Sequence, residues 1–203
     1  GNWQWAVMPT ATQGLTFIET MSTDVTGDIY IGGTVLGQVA FGSTPNSPVI
    51  QSQNLDGFIA KLDSSGQRMW ATSFITATNN DSNNSVVTGI DFDPYSGNLI
   101  VVGTHQGPTD FGGIVQTSSD NDMFMASIDT NSGTLNSVST AGGIGNDRSG
   151  GVVVDSYGNI WQTGTTSGTF SGNGKTHQAL SQADTVLVKW SQAGVVQSVK
   201  GFA

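Results

Sequence analysis

Apolar residues recur along this chain in short runs, each closed by a cluster of Asp, Ser, Asn and Gly. Ile29-Tyr-Ile-Gly-Gly33-Thr34, Leu99-Ile-Val-Val-Gly103-Thr104 and Ile160-Trp-Gln-Thr-Gly164-Thr165 are three versions of one run. Each is entered through a turn: Asp24-Val-Thr-Gly27-Asp28, Asp93-Pro-Tyr-Ser-Gly97-Asn98 and Asp155-Ser-Tyr-Gly158-Asn159. A second set follows in the same order: Asp56-Gly-Phe-Ile-Ala-Lys-Leu-Asp63, Asp122-Met-Phe-Met-Ala-Ser-Ile-Asp129 and Asp184-Thr-Val-Leu-Val-Lys-Trp-Ser191. The turn glycines fall at 27, 97 and 158 and the second set begins at 56, 122 and 184, so two landmarks recur with one period of sixty to seventy residues. Self-similarity of that length is the mark of a repeat architecture.

The runs are short, β-branched and bounded by turn residues, which predicts strands. Four are expected in each unit. The first ends at the turn Asp (Met21-Ser-Thr, Ile90-Asp-Phe, Val152-Val-Val), and the second and third are the two landmarks. The fourth follows a second turn, Asp63-Ser-Ser-Gly66, Asp129-Thr-Asn-Ser-Gly133 or Ser191-Gln-Ala-Gly194, and covers Arg68–Phe74, Leu135–Thr140 and Val195–Lys200. An Asp or Ser side chain accepts from backbone N–H groups two residues on, and the Gly then takes a positive φ. Turns this short join antiparallel neighbours, so each unit is expected to be a four-stranded meander.

Both faces of these strands carry apolar groups: Ile29 and Ile31 alternate with Tyr30, and Leu99 and Val101 with Ile100 and Val102. A sheet wetted on one side would alternate strictly, so sheets covered on both sides are expected. Gln162 breaks the pattern in the third unit and marks an end unit or a wet spot. Long polar loops are expected at 35–55, 105–121 and 166–183, each pinned by an early Phe (Phe41, Phe111, Phe170). The opening Gly1-Asn-Trp-Gln-Trp5-Ala matches Gly66-Gln-Arg-Met-Trp70-Ala, so 1–8 reads as the fourth strand of a preceding unit. The chain is then one domain, 1–203, divided into that strand and three units at 9–74, 75–141 and 142–203. With no Met at its start, it is expected to be processed, excised or incomplete.

Composition narrows the function classes. Six Lys and Arg stand against fifteen Asp and Glu, for a net charge of -9. That balance repels phosphate backbones and anionic lipid, which argues against nucleic acid and membrane surfaces. No apolar run approaches the length of about 20 residues that a membrane span needs. Glu19 is the one Glu, and Asp suits turns where Glu suits helices. There is no Cys, hence no disulfide and no thiolate metal site.

The pattern Asp-x-x-Gly-Asn, a hydrophobic run, Gly-Thr, then Asp-x-Phe-hydrophobic-Ala-Lys-Leu-Asp-x-x-Gly and a Trp resembles the bacterial β-propeller repeat called SBBP. Asp155–Thr165 and Asp56–Trp70 carry the match best, and Gly145-Asn146-Asp147 fits that repeat's Gly-x-Asp opening. Leu15-Thr16 and Asn84-Ser85 depart from the opening in the first two units. The resemblance covers nearly the whole chain. It implies an all-β fold of four-stranded, radially arranged blades in bacterial secreted or cell-surface proteins, and no catalytic residues. Three blades and one strand are too few to close a ring, which typically has 4–8. The expected partners are therefore further copies of the chain or the rest of a longer propeller.

Candidate chemistry is sparse. Asp81 within Asn80–Ser85, and Asp120 with Asp122, have oxygens that would suit calcium, though none matches a known calcium loop. No other metal and no cofactor is expected. Asn80-Asp-Ser82 and Asn83-Asn-Ser85 are formal glycosylation acceptors. Gly172-Asn-Gly174-Lys175-Thr176 ends like a phosphate loop but lacks its first Gly, and no helix follows. No Gly-x-Ser-x-Gly elbow and no Glu pair occurs, so an enzyme is not expected. Tyr95, His105, Tyr157, Trp161 and His177 lie at or beside turns and loops, and are the candidates for a binding surface. The reading is a structural or adhesive extracellular module that assembles with other proteins. The alternative is a carbohydrate-binding propeller that uses its inter-strand loops.

Overall fold

The computed structural model describes residues 5–6, 9–41, 47–76 and 83–203. Unit 1 is β1 (Thr10–Thr23), β2 (Ile29–Ala40), β3 (Val49–Leu62) and β4 (Arg68–Thr76). Unit 2 is β5 (Asn84–Asp93), β6 (Asn98–Asp110), β7 (Val115–Asp129) and β8 (Leu135–Ile144). Unit 3 is β9 (Asp147–Val154), β10 (Ile160–Thr166), a small hairpin of β11 (Thr169–Gly172) and β12 (Lys175–Gln178), then β13 (Asp184–Trp190) and β14 (Val196–Phe202). Every pairing is antiparallel, and the described residues contain no helix.

Each unit is the expected meander, strand pairing with strand in chain order. The turns are built as their sequences require. Asp24, Asp63 and Asp155 each accept the backbone N–H groups two and four residues on through Oδ1. Gly27, Gly66, Gly97, Gly133, Gly158 and Gly194 close the turns with φ between 74° and 86°.

The second and third strands reach further than expected. Segments 35–55 and 105–121 are not simple loops; much of each continues the β2–β3 or β6–β7 ladder. The cause is one glycine in each. Gly37 (φ 77°) and Gly107 (φ 75°) sit at register shifts after Val35 and His105, where a left-handed residue absorbs the mismatch as a bulge and the ladder resumes. In unit 3 the strand stops at Thr166, and β11–β12 takes the place of the extension.

Neighbouring units are stitched at these extensions. The end of β4 pairs with β6 (Ile75 with Asp110), and β8 pairs with β11 (Ile144 with Thr169). Units 1 and 2 and the small hairpin thus form one ten-stranded sheet, and the rest of unit 3 a four-stranded sheet. The main contacts are face to face. Tyr30, Ile59, Trp70 and Phe74 of unit 1 meet Val87, Leu99, Val101, Phe111 and Phe124 of unit 2. Ile100, Val102 and Met125 on the other face of unit 2 meet Ile160, Phe170, Val188 and Trp190 of unit 3. Gln162, the break in the apolar pattern, is fully buried in this second layer. It donates to Phe124 O (3.3 Å) and Ser149 Oγ (2.8 Å) and accepts from Trp190 Nε1 (2.9 Å), so it costs no unmade hydrogen bond.

The unit 1–unit 2 layer centres on three rings, with Phe124 5.5 Å from Phe74 and 4.9 Å from Phe111. Phe124→Ala is expected to cost about 3–5 kcal/mol in urea unfolding, with one transition kept for both units. A loss below about 1 kcal/mol would show that the two units do not share this core.

Candidate functional site

The third strand of every unit carries an Asp at the same place, fully buried in units 1 and 3 and partly buried in unit 2, and the three have different surroundings. In unit 1, Asp56 accepts from Ser52 Oγ and from Thr76 N (2.9 Å) and Oγ1 (2.8 Å), which ties the end of β4 to β3. In unit 3, Asp184 accepts from Ser181 Oγ (2.7 Å), from Leu180 N (3.0 Å) and from Ser181 N, and lies 3.0 Å from His177 Nε2. These donors, the Ser181 hydroxyl first, hold its carboxyl down to about 2.

In unit 2 the arrangement changes. Gly143 stands where unit 1 has Thr76, so the hydroxyl donor is lost. Asp147 stands where unit 2 has Ser85, and its Oδ2 accepts Gly143 N at 2.8 Å. Asp122 and Asp147 thus share one small region, and Oδ1 of each is buried with no hydrogen-bond partner. Burial, and then the charge of Asp147, push the Asp122 carboxyl up to about 6. Burial and the charge of Asp120 raise Asp147 as well. Nothing in the run of apolar residues signals this pair; the clue in the sequence is the loss of Thr at 143 together with an acid at 147.

Beside the acids lies an open polar cavity of about 430 Å³ between units 2 and 3, lined by Asn84, Thr88, Gln106, Asn121, Arg148 and Ser149 among others. Amides, hydroxyls and one guanidinium suit a ligand with many hydroxyl groups or a carboxylate. Among the described residues, no aromatic side chain lines it.

The candidates drawn from the sequence are scattered. Tyr95 and Tyr157 are exposed on equivalent turns of units 2 and 3, and the Tyr95 hydroxyl donates to Ser156 O. Those turns lie at the opposite end of β5 from the polar cavity. Trp161 is half-buried in β10, where its Nε1 donates to Asp155 Oδ2 (3.0 Å) under the Lys189 ammonium. That bond leads those that hold the Asp155 carboxyl well below the usual range.

His105 is not on a loop. It lies in the extended β6, fully buried, with its ring against Phe111 and Phe124, because the bulge at Gly107 turns the supposed loop into core. Burial pushes its imidazole down to about 4. His177 sits in β12 against Gly201 and pairs with Asp184. Ser181 donates its hydroxyl to Asp184 rather than to the imidazole, so these three residues do not form a nucleophile–base–acid relay.

Of the calcium candidates, Asp81 lies outside the described residues, as do Asn80 and Ser82. Asp122 is one member of the acid pair, and the charge of Asp120 acts on both members. Among the described residues, no group of three or more His, Cys, Asp or Glu side chains is arranged to hold a metal ion.

No family model and no curated protein matches this sequence. A solved structure of a protein of unknown function from Bacteroides caccae is similar over 94% of this chain, at 8% identity and a TM-score of 0.38. The chain spans 62% of that protein's length.

The acid pair gives a pH dependence with a definite sign. A folded-state pKa raised to about 6 means the folded chain holds a proton that the unfolded chain has released. That contribution is complete below about pH 4 and is lost as pH rises through about 6. Asp122→Asn is expected to flatten the decline and raise the melting temperature at pH 7.5, by about 2–4 °C for each kcal/mol relieved. Melting curves of both proteins from pH 4 to 8 test this; a D122N chain no more stable than the wild type at pH 7.5 would clear the carboxylates of any strain.

Proposed function

We propose that this chain is part of a β-propeller-type scaffold, of the SBBP-like kind its motifs resemble, that works without catalysis in protein–protein assembly at a cell surface. The observation that carries the reading is the contact between first strands. β5 lies against both β1 and β9, and Asp91 reaches both, accepting from Ser22 Oγ at 3.5 Å and from Val154 N at 2.7 Å. Thr88 Oγ1 donates to Ser149 Oγ at 2.9 Å, and Gly89 packs on the backbone at 151–152. First strands gathered together, with the remaining strands of each meander leading away, suit blades set around an axis. The cell-surface setting rests on the resemblance alone.

A second reading, glycan binding, is favoured by the polar cavity between units 2 and 3, which offers Asn84, Gln106, Asn121 and Arg148 to sugar hydroxyls. Its loop aromatics contribute little there, since Tyr95 and Tyr157 sit at the far end of β5.

One experiment separates the classes. The immobilised chain is offered its own soluble form, a glycan panel, and chromogenic glycoside and ester substrates. Capture of its own kind without glycan capture supports assembly. Glycan capture that Asn121→Ala and Arg148→Ala abolish, with melting unchanged, would transfer the function to the cavity. Turnover of either substrate would end the non-catalytic reading.

A further inference from the structure

The repeat allows one face to be read against another. Ile29, Ile31, Phe41, Phe58, Ala60 and Leu62 of unit 1 occupy the places of Leu99, Val101, Phe111, Phe124, Ala126 and Ile128 of unit 2. In unit 2 that face is covered by unit 1. In unit 1 Phe41, Phe58, Ala60 and Leu62 are buried at the floor, but the β1 side of the face is open, with an apolar groove of about 170 Å³ whose walls include Ile18, Met21, Ile31, Phe41 and Leu62 together with Trp5 and Pro9. Exposure gives the contrast directly. Ile18 and Met21 are 53% and 63% exposed, while Val87 and Ile90, their counterparts in unit 2, are 0% and 5% exposed.

The outer face of unit 3 repeats the face with which unit 1 covers unit 2. On unit 1, the Lys61 ammonium lies 5.3 Å from the Tyr30 ring centre, and the Tyr30 hydroxyl donates to Asp24 at 2.9 Å. On unit 3, the Lys189 ammonium lies 5.3 Å from the Trp161 ring centre, and Trp161 Nε1 donates to Asp155 at 3.0 Å. Leu187 and Phe202 stand where unit 1 has Ile59 and Phe74. Lys61 also donates across the interface to Thr130 O at 3.1 Å, and Ser64 follows the same turn Asp in unit 1 as Thr130 does in unit 2.

One end of the chain thus offers a covering face and the other a face built to be covered. We propose that the open face of unit 1 receives the outer face of unit 3 of a second copy, head to tail. This rests on the assembly reading above and names its partner and surface. Such a contact is heterologous, so copies close into a ring or extend in a series according to the rotation at each step.

Trp5 marks the place in the single chain. It covers Gly66 as Trp70 covers Gly133, and Thr10 pairs with Ala40 as Ile75 pairs with Asp110. Trp5, Ala6 and Pro9 belong to no strand, and stand where the β14 of the arriving copy would run. Unit 3 has Ser198 at the Trp70 position, as unit 2 has Ser137, so the step from unit 2 to unit 3 within the chain is already made without a Trp at this place. Docking therefore displaces Trp5.

Light scattering over a concentration series, up to about 1 mM, reads the contact. The wild-type chain is expected to grow in mass, either to a closed dimer or to a longer series. Met21→Glu blocks the receiving face and Leu187→Glu the covering face; each alone is expected to weaken association at least about tenfold. Mixed, they are expected to form a one-to-one dimer, since one sound face of each kind remains. Trp5→Ala, which empties the place, leaves association unchanged or tighter. Unchanged melting temperatures exclude misfolding.

Association that survives both Glu variants would overturn the assignment of faces and leave the assembly reading standing. A mixture that stays monomeric would also overturn it. Loss of association in Trp5→Ala would show that Trp5 takes part in the contact and is not displaced by it, and would overturn the docking of a second copy in its place. A wild-type chain that stays monomeric would overturn this contact, and failure to capture its own soluble form would overturn the assembly reading with it.

Discussion

The sheet of unit 2 is apolar on both faces, and a two-faced sheet in water must be covered twice. A strand such as Leu99–Thr104 has no polar side to turn outward, with Leu99, Ile100, Val101 and Val102 all buried. Buried apolar area stabilises by roughly 25 cal/mol per Å², so a bare face of several large side chains is a standing penalty. The middle unit meets the requirement from within the chain, unit 1 on one side and unit 3 on the other. The end units each have one face that no other unit of the chain covers.

The two ends cope differently. Unit 3 softens its outer face with Thr163, Thr185, Lys189 and Lys200, and Lys189 lies over the Trp161 ring so that its stem covers apolar area while its charge stays wet. Unit 1 keeps an apolar face and lays Trp5 over part of it. Such an asymmetry is unusual in a stacked repeat, whose terminal members normally carry polar outer faces. Here only the third unit does so, and even there the aromatic and aliphatic positions of a covering face persist.

Much of this was legible in the sequence because turn chemistry and strand period are local. The meanders and their turns at Gly27, Gly97 and Gly158 follow from short-range rules that the folded chain obeys, whereas the expected two-sided burial holds in β6 of unit 2 and gives way to alternation of buried with more exposed positions in β10 and β13 of unit 3. The extent of the hairpins did not follow. Gly37 and Gly107 look like any loop glycines, and only their partners across the ladder make them bulges that carry the strands onward. His105 was misplaced for the same reason: a histidine after a strand-ending Gly-Thr reads as loop, and the continued ladder takes it into the core. The side chains proposed for binding depended on where those ladders stop, so His105 moved from surface to interior while Tyr95 and Tyr157 remained exposed.

The acid pair shows what a repeat conceals. A third-strand Asp recurs in each unit; in unit 1 it ties down the end of β4 and in unit 3 the loop ahead of β13, and in both hydroxyl and backbone donors complete its hydrogen bonds. Two substitutions relative to that pattern, Gly143 for the Thr76 position and Asp147 for the Ser85 position, remove one donor and add one charge. Neither change disturbs the strand pattern, so a reading by periodicity passes over both. Their joint effect exists only in three dimensions, where β7 and β9 bring Asp122 and Asp147 together across a unit boundary. Two carboxylates with unpartnered oxygens are costly to bury ionised, and the raised pKa values are that cost expressed as proton affinity. The repeat thus fixes where an acid must stand. Divergence between units decides whether it is a strand tie or a source of strain, and the boundary between units 2 and 3, where the polar cavity also opens, is where that divergence has collected.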